Sequence, residues 1–165
     1  MKSSIHYKFL QQQGFPHISE ETSRYRVRAL QFQPSIIGLL VLVAILIQSW
    51  PLFLILSALL WVNVTIPRAN IFENFYNAVF IHYNQLKIKP APGPRRFAQG
   101  MAAVFTLGAA VSILTNWVTA AIIFQGLLVV AFGVLLLGNF CLGSYLFHLL
   151  KGETFFANAT CPWSP

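Results

Sequence analysis

Among the side chains able to do chemistry, His148 has the most specific setting. It follows a long apolar stretch with Tyr145 and Phe147 close by, and an imidazole there could ligate a haem iron or the magnesium of a chlorophyll-type pigment. Haem held between two histidines needs a second one on a facing apolar segment. His6, His17 and His82 all lie in polar segments, so a singly ligated pigment is the better form of that reading. The two cysteines, Cys141 and Cys161, are too few for a disulfide framework and too far apart for a compact metal motif. No Gly-rich phosphate loop and no Ser-His-acid set occurs. The sequence has no Asp, which removes many usual catalytic arrangements. The expectation is a chain without catalytic residues and without a metal site.

The elements that would position these residues are dictated by apolarity. Of 165 residues, 56% are hydrophobic and 9% charged, far from the roughly 25% charged fraction of soluble domains. From Ser35 to Ile66 no residue is charged, and Gln48-Ser49-Trp50-Pro51 divides the run in two. One kinked helix over that length would rise well beyond a hydrocarbon core of about 30 Å, so two short spans in a tight hairpin fit better. The uncharged stretch from Phe97 to Leu150 repeats the plan, with Asn116-Trp117 as its turn and Gly138-Asn139 as the place where the last helix bends or leaves the core. Residues 140 to 150 are then expected at the membrane interface. Gly126, Gly133, Gly138, Gly143 and Ala131, with Gly100, Gly108 and Ser112, suit close helix packing. Gln48, Asn63, Gln99, Gln125 and Asn139 suit hydrogen bonds between helices.

The pattern therefore predicts an all-α integral membrane protein with four short transmembrane helices in two hairpins. A polar basic arm (1–31) precedes hairpin one (32–67). An amphipathic helix with a Pro-rich linker (68–96) leads to hairpin two with its interfacial end (97–150), and a tail (151–165) follows. The first 34 residues lack the apolar core of a cleavable signal peptide. Basic residues occupy the arm, the 68–96 segment and the start of the tail, and neither tight turn, which by the positive-inside rule puts both termini in the cytoplasm of a bacterial inner membrane.

In the connecting segment, Ile71, Phe72, Phe75, Tyr76, Val79, Phe80 and Tyr83 recur at helical spacing, with Asn70, Glu73, Asn74, Asn77 and Asn84 opposite. This describes an interfacial helix or one packed on a partner. Lys89-Pro90-Ala91-Pro92-Gly93-Pro94 reads as an extended linker. Arg68, Arg95 and Arg96 read as lipid-headgroup contacts at the mouths of the spans.

The order of features carries a likeness. Arg26-Val27-Arg28-Ala29-Leu30-Gln31, a hairpin, a Pro-rich linker closing in Arg95-Arg96-Phe97-Ala98, a second hairpin and Phe140-Cys141-Leu142-Gly143 follow one another. Over roughly residues 22 to 151 the chain resembles the bacterial membrane proteins grouped as domain of unknown function 4395. In that family the last motif commonly reads Phe-Cys-x-Gly-Cys followed by Tyr, which implies a dithiol able to cycle with a disulfide or to handle sulfur at the membrane face. Here Ser144 stands in place of the second cysteine, and a serine hydroxyl cannot resolve a mixed disulfide.

Ionisable groups within spans usually mark ion or proton pathways, and this sequence has none between Ser35 and Ile66. The leading expectation is a non-catalytic accessory subunit of a larger membrane complex, a respiratory or photosynthetic electron-transfer assembly being the guess for its host. Lipid, quinone or pigment would be the bound molecules, other membrane subunits the partners, and nucleic acid excluded. Partner contacts are expected from Phe72, Phe75, Tyr76, Phe80 and Tyr83, and from a gripping tail bearing Phe155, Phe156 and Trp163. The alternative is a membrane thiol or sulfur-handling protein working through Cys141. A small-molecule carrier, with a polar cavity furnished by Gln99, Gln125 and Asn139, ranks third.

Overall fold

A computed structural model describes residues 5–15, 20–84 and 90–161, which contain helices and no strand. In chain order the helices are α1 (Ile5–Gln12), α2 (Glu20–Leu46), α3 (Trp50–Thr65), α4 (Ile71–Asn84), α5 (Gly93–Leu114), α6 (Val118–Gly138), α7 (Leu142–Leu150) and α8 (Thr154–Ala159), with a single 3-10 turn at Pro67–Ala69. Three stretches are long and apolar enough to cross a membrane: Arg26–Leu46, Gly93–Leu114 and Val118–Gly138. The fourth apolar helix, α3, has 16 residues and rises about 24 Å, short of a hydrocarbon core of about 30 Å.

Both turns within the apolar runs fall where the sequence breaks. The first holds Gln48 at φ 48° and the second Asn116 at φ 56°, left-handed conformations that amide side chains tolerate better than branched ones. Ser49 caps α3 by accepting from Leu52 N–H at 3.4 Å. At the end of α6, Asn139 takes φ 49° and closes the helix with its N–H on the Val134 carbonyl. The Pro-rich linker is shorter than its composition suggests. Gly93 and Pro94 already belong to the first turn of α5, where proline's missing N–H is one the helix leaves unpaired anyway.

α5 is the centre of the packing and touches α3, α6 and α7, while α2 lies against α6. The core mixes small and large apolar residues, Ala44, Ala103, Ala109 and Ala110 being buried beside Ile37, Val41, Phe53, Leu56, Leu60 and Leu128, whereas Leu39, Leu46, Ile122, Val130 and Leu137 are more than half exposed. Large apolar side chains facing outward suit helices packed in lipid, while the alanines in the core permit close backbone approach, which gains dispersion contacts. Gly108 lets the Phe124 ring approach to within 2.7 Å of where a Cβ would stand. Gly143 lets α7 meet the backbone of Ala98 at 2.6 Å on the same measure. Gly126 and Gly133, expected at the same kind of contact, have nothing within 4 Å.

The described part of the N-terminal arm folds back on its own chain. Phe9, Leu10 and Gln12 of α1 are buried, and Phe9 and Leu10 share a cluster with Val27, Leu30 and Cys141.

Candidate functional site

Pro34 sits inside α2 and has no N–H to give the carbonyl of Leu30, one turn back. That carbonyl is instead taken by Arg95, whose Nη2 donates to Leu30 O at 3.4 Å and to Gln33 Oε1 at 3.4 Å. The guanidinium's other terminal nitrogen, Nη1, pairs with Glu73 Oε1 at 3.0 Å, both side chains being about 5% exposed. Asn70 brings Glu73 to this place. Its Oδ1 caps α4 by accepting from Phe72 N–H at 3.2 Å and Glu73 N–H at 3.4 Å, and its Nδ2 donates to Gln33 Oε1 at 2.9 Å. Gln99 Nε2 reaches the same oxygen at 3.1 Å. Three helices, α2, α4 and α5, are thus tied through one amide oxygen. Burial pushes the Glu73 carboxyl above the ordinary carboxylate range, Arg95 opposing that shift with the smaller effect.

Arg95 is accordingly not a headgroup contact. A basic residue at the mouth of a span reads as interfacial, but here an acid from α4 and the carbonyl freed by Pro34 draw it inward. Arg96 turns the other way and donates from Nε and Nη2 to Val64 O at 3.0 and 2.6 Å, holding the C-terminal turn of α3. Arg68 remains exposed.

Beside this network lies a cavity of about 240 Å³ between α2, α5, α6 and the turn before α7, with Gln33, Arg95, Gln99 and Cys141 in its wall. Cys141 is 6% exposed, and its backbone N–H donates to Gln12 Oε1 at 3.0 Å. Neither Cys141 nor the half-buried Cys161 is in a disulfide. Ser144 is fully buried, and its hydroxyl oxygen has no partner.

His148 has both ring nitrogens engaged, Nδ1 with Glu153 Oε2 at 2.6 Å and Nε2 with the Gln12 carbonyl at 3.2 Å. Phe156 lies tilted against the ring, the planes at 59° and the centroids 4.8 Å apart. An iron or magnesium ligand would have to give up one of these contacts, so in this conformation the imidazole ties α1, α7 and α8 together. Of the three other histidines, His17 and the side chain of His82 lie outside the described residues. Among the described residues no group of three or more His, Cys, Asp or Glu could hold a metal.

The aromatic positions divide. Phe75 is 58% exposed and Phe155 88%, whereas Tyr76 is buried against Phe32 at 5.3 Å and Phe156 is used by His148. Phe72 is half-buried against the core. Phe80, Tyr83 and Trp163 have side chains outside the described residues. Glu73, Gln33, Asn70 and Gln12, all buried, were not expected at a site. The signal available for Glu73 was that it is the one acid between the first and last apolar runs.

The polar residues assigned to cross-linking do so in most cases. Gln48 and Gln125 exchange amide hydrogen bonds at 3.3 and 3.1 Å, and Gln31 donates to Asn139 Oδ1 at 2.9 Å. Asn63 is buried with its Nδ2 unpartnered.

Fold and site together define an all-helical protein with three helices of membrane-crossing length around a buried ion pair and an apolar cavity. Residues 26–151 match the family described as domain of unknown function 4395, and the chain belongs to that family. No curated protein and no solved structure gives a significant match.

Proposed function

We propose that the protein is a polytopic protein of a bacterial inner membrane, with α2, α3, α5 and α6 in the bilayer as two hairpins and both termini cytoplasmic. We infer further that it serves as a non-catalytic accessory subunit of a larger membrane complex. The observation that carries the reading is the outward face of the long helices, where Leu39, Leu46, Ile122, Val130 and Leu137 are more than half exposed on stretches long and apolar enough to cross a membrane. The subunit role is supported by apolar surface that the described residues leave uncovered outside the long helices. Ile71, Phe75 and Val79 on α4 and Phe155 on α8 are exposed, and Gly126 and Gly133 leave part of α6 open to close approach by another helix.

A second reading, a thiol or sulfur-handling protein, is favoured by one observation: Cys141 lines a cavity whose wall includes Arg95. One experiment separates the two. The native protein is extracted in mild detergent, resolved on a native gel, and its co-migrating chains identified for wild type and Cys141→Ser. Defined partners that persist in Cys141→Ser support the subunit reading. A lone 18.5 kDa species defeats it, and intact assembly with lost thiol chemistry moves the assignment to Cys141.

A further inference from the structure

Between α3 and α5 the surface is grooved. Arg96 stands near one end of the groove, with Gly100, Val104 and Phe105 following along α5 and Val64 and Trp61 along α3. Gly100 keeps it open, since an added Cβ there would meet nothing nearer than a Val64 methyl at 3.9 Å. Arg96 is anchored before any ligand arrives. A guanidinium carries five N–H groups, and the two bonds to Val64 O take one on Nε and one on Nη2. What remains is the edge made by Nη1 and the second hydrogen of Nη2, the planar fork that meets a phosphate or carboxylate with two parallel bonds. Nη1 has no partner among the described residues and is not buried. A donor pair already held in place loses little freedom when an anion binds.

Charge and length restrict the occupant. The acids in ion pairs among the described residues, Glu73 and Glu153, are held by Arg95 and His148, and no acid lines the groove. An anion is matched there, and a cation is not. From Arg96 to Phe105 the groove follows α5 for about 14 Å at about 1.5 Å per residue, close to half of a hydrocarbon core of about 30 Å. That is the depth of one acyl chain in one leaflet. Trp61, 42% exposed, lies one turn deeper on α3 than Val64 and has the place of a tryptophan at the membrane interface. A soluble anion would leave the apolar length unused, and a neutral chain would leave the fork unused.

We propose that this groove holds one anionic glycerophospholipid of the cytoplasmic leaflet, its phosphate on the free edge of Arg96 and one acyl chain along Gly100, Val104 and Phe105. A zwitterionic lipid fits less well, because its ammonium finds no acid in the wall. Of the three arginines whose sequence positions suit headgroups, the geometry selects Arg96. The assignment rests on the membrane reading proposed above and requires no partner subunit.

Trp61 is the reporter. Full-length protein keeping only this tryptophan (Trp50→Phe, Trp117→Phe, Trp163→Phe) is reconstituted in dioleoylphosphatidylcholine with rising fractions of phosphatidylglycerol or phosphatidylcholine brominated on the acyl chains, which quench a tryptophan they touch. A companion protein keeps only Trp117, which is 67% exposed at the turn after α5, where the sequence has no basic residue. At Trp61 the anionic lipid is expected to show a binding constant about fivefold that of the zwitterionic one, the effect of one basic residue at a membrane surface. At Trp117 the two should quench alike. Arg96→Gln keeps a donor for Val64 O but removes the fork, and Gly100→Leu fills the groove with Arg96 in place. Each should abolish the preference at Trp61, and Arg68→Gln should leave it. Equal quenching at Trp61, the same preference at both tryptophans, a preference that survives Gly100→Leu, or one lost in Arg68→Gln would overturn the assignment. The comparison of the two tryptophans decides the matter even where a variant fails to fold. The membrane reading fails separately, by release of the chain from native membranes in alkaline carbonate without detergent.

Discussion

Arg95 shows how a single side chain can be misread from its neighbours along the chain and understood from its neighbours in space. Next to Arg96 and ahead of an apolar run it has the pattern of a headgroup anchor, but its counter-charge lies 22 residues upstream, on a helix whose polar face reads as water-facing. Sequence spacing could not bring Glu73 to it. The absent N–H of Pro34 was legible, yet the group that takes up the freed carbonyl was not. Two substitutions at Glu73 test the pair. Glu73→Ala strands a buried guanidinium and is expected to destabilise by about 3–5 kcal/mol. Glu73→Gln keeps an oxygen for Arg95 and removes a carboxyl whose burial outweighs that attraction, so it should cost about 1 kcal/mol or less. The pH dependence follows from the same balance. Because burial holds the Glu73 carboxyl above its ordinary range, the folded chain keeps this proton to higher pH than the unfolded chain. The group's contribution to stability is complete below the ordinary carboxylate range and is lost as pH rises through the raised value. SDS-induced unfolding in mixed micelles, followed by circular dichroism across that range, should show this slope in wild type and a flatter one in Glu73→Gln.

At the scale of elements, the breaks were legible because turn chemistry is local. Gln48-Ser49 and Asn116 carry left-handed or capping residues, and Gly138-Asn139 ends α6 where the sequence marks it. The faces of the helices were less legible, since glycine announces close approach without saying to what. Gly143 abuts the backbone of Ala98, whereas a Cβ at Gly126 would meet nothing among the described residues. The two should therefore respond differently to alanine. Gly143→Ala must push α7 away from α5, a backbone clash expected to cost about 1–3 kcal/mol, read as a lowered unfolding midpoint in detergent. Gly126→Ala should leave the isolated chain unchanged or stabilise it by up to about 1 kcal/mol. If a partner helix packs there, the same change should still weaken the native complex, because the small residue then serves an interface between chains. A drop in the stability of the isolated chain would show that Gly126 is packed internally after all.

For the whole molecule, the hydrogen bonds between helices set the level of the α2–α3 pair against the α5–α6 pair. Gln31 is level with Asn139 at one end of the α2–α6 pair, and Gln48 is level with Gln125 at the other. Gln125 lies seven residues inside the start of α6, so the turn after α2 stops about 10 Å short of the turn after α5. The α3–α5 register agrees, with Ser57 donating to the Ala103 carbonyl at 2.8 Å and Arg96 to Val64 at 2.6 Å. Extended at that register, α3 begins about a turn short of the end of α5. The sequence gives both hairpins the same uncharged turn and so the same depth. The stagger comes from the short α3 and from the Gln48–Gln125 amide pair, which satisfies a polar turn below the level of its neighbour. On the proposed topology, which puts both turns on the face opposite the basic segments, single cysteines in a Cys141→Ala, Cys161→Ala background, labelled in cells with a membrane-impermeant maleimide, should report the difference. Thr115→Cys is expected to label rapidly from outside, Arg68→Cys only after the cells are opened, and Ile47→Cys, although 63% exposed on the protein, slowly because lipid covers it. Equal rates at positions 47 and 115 would mean that the first hairpin reaches the surface and the bilayer thins around it. Labelling of position 68 from outside would invert the orientation that the basic residues imply.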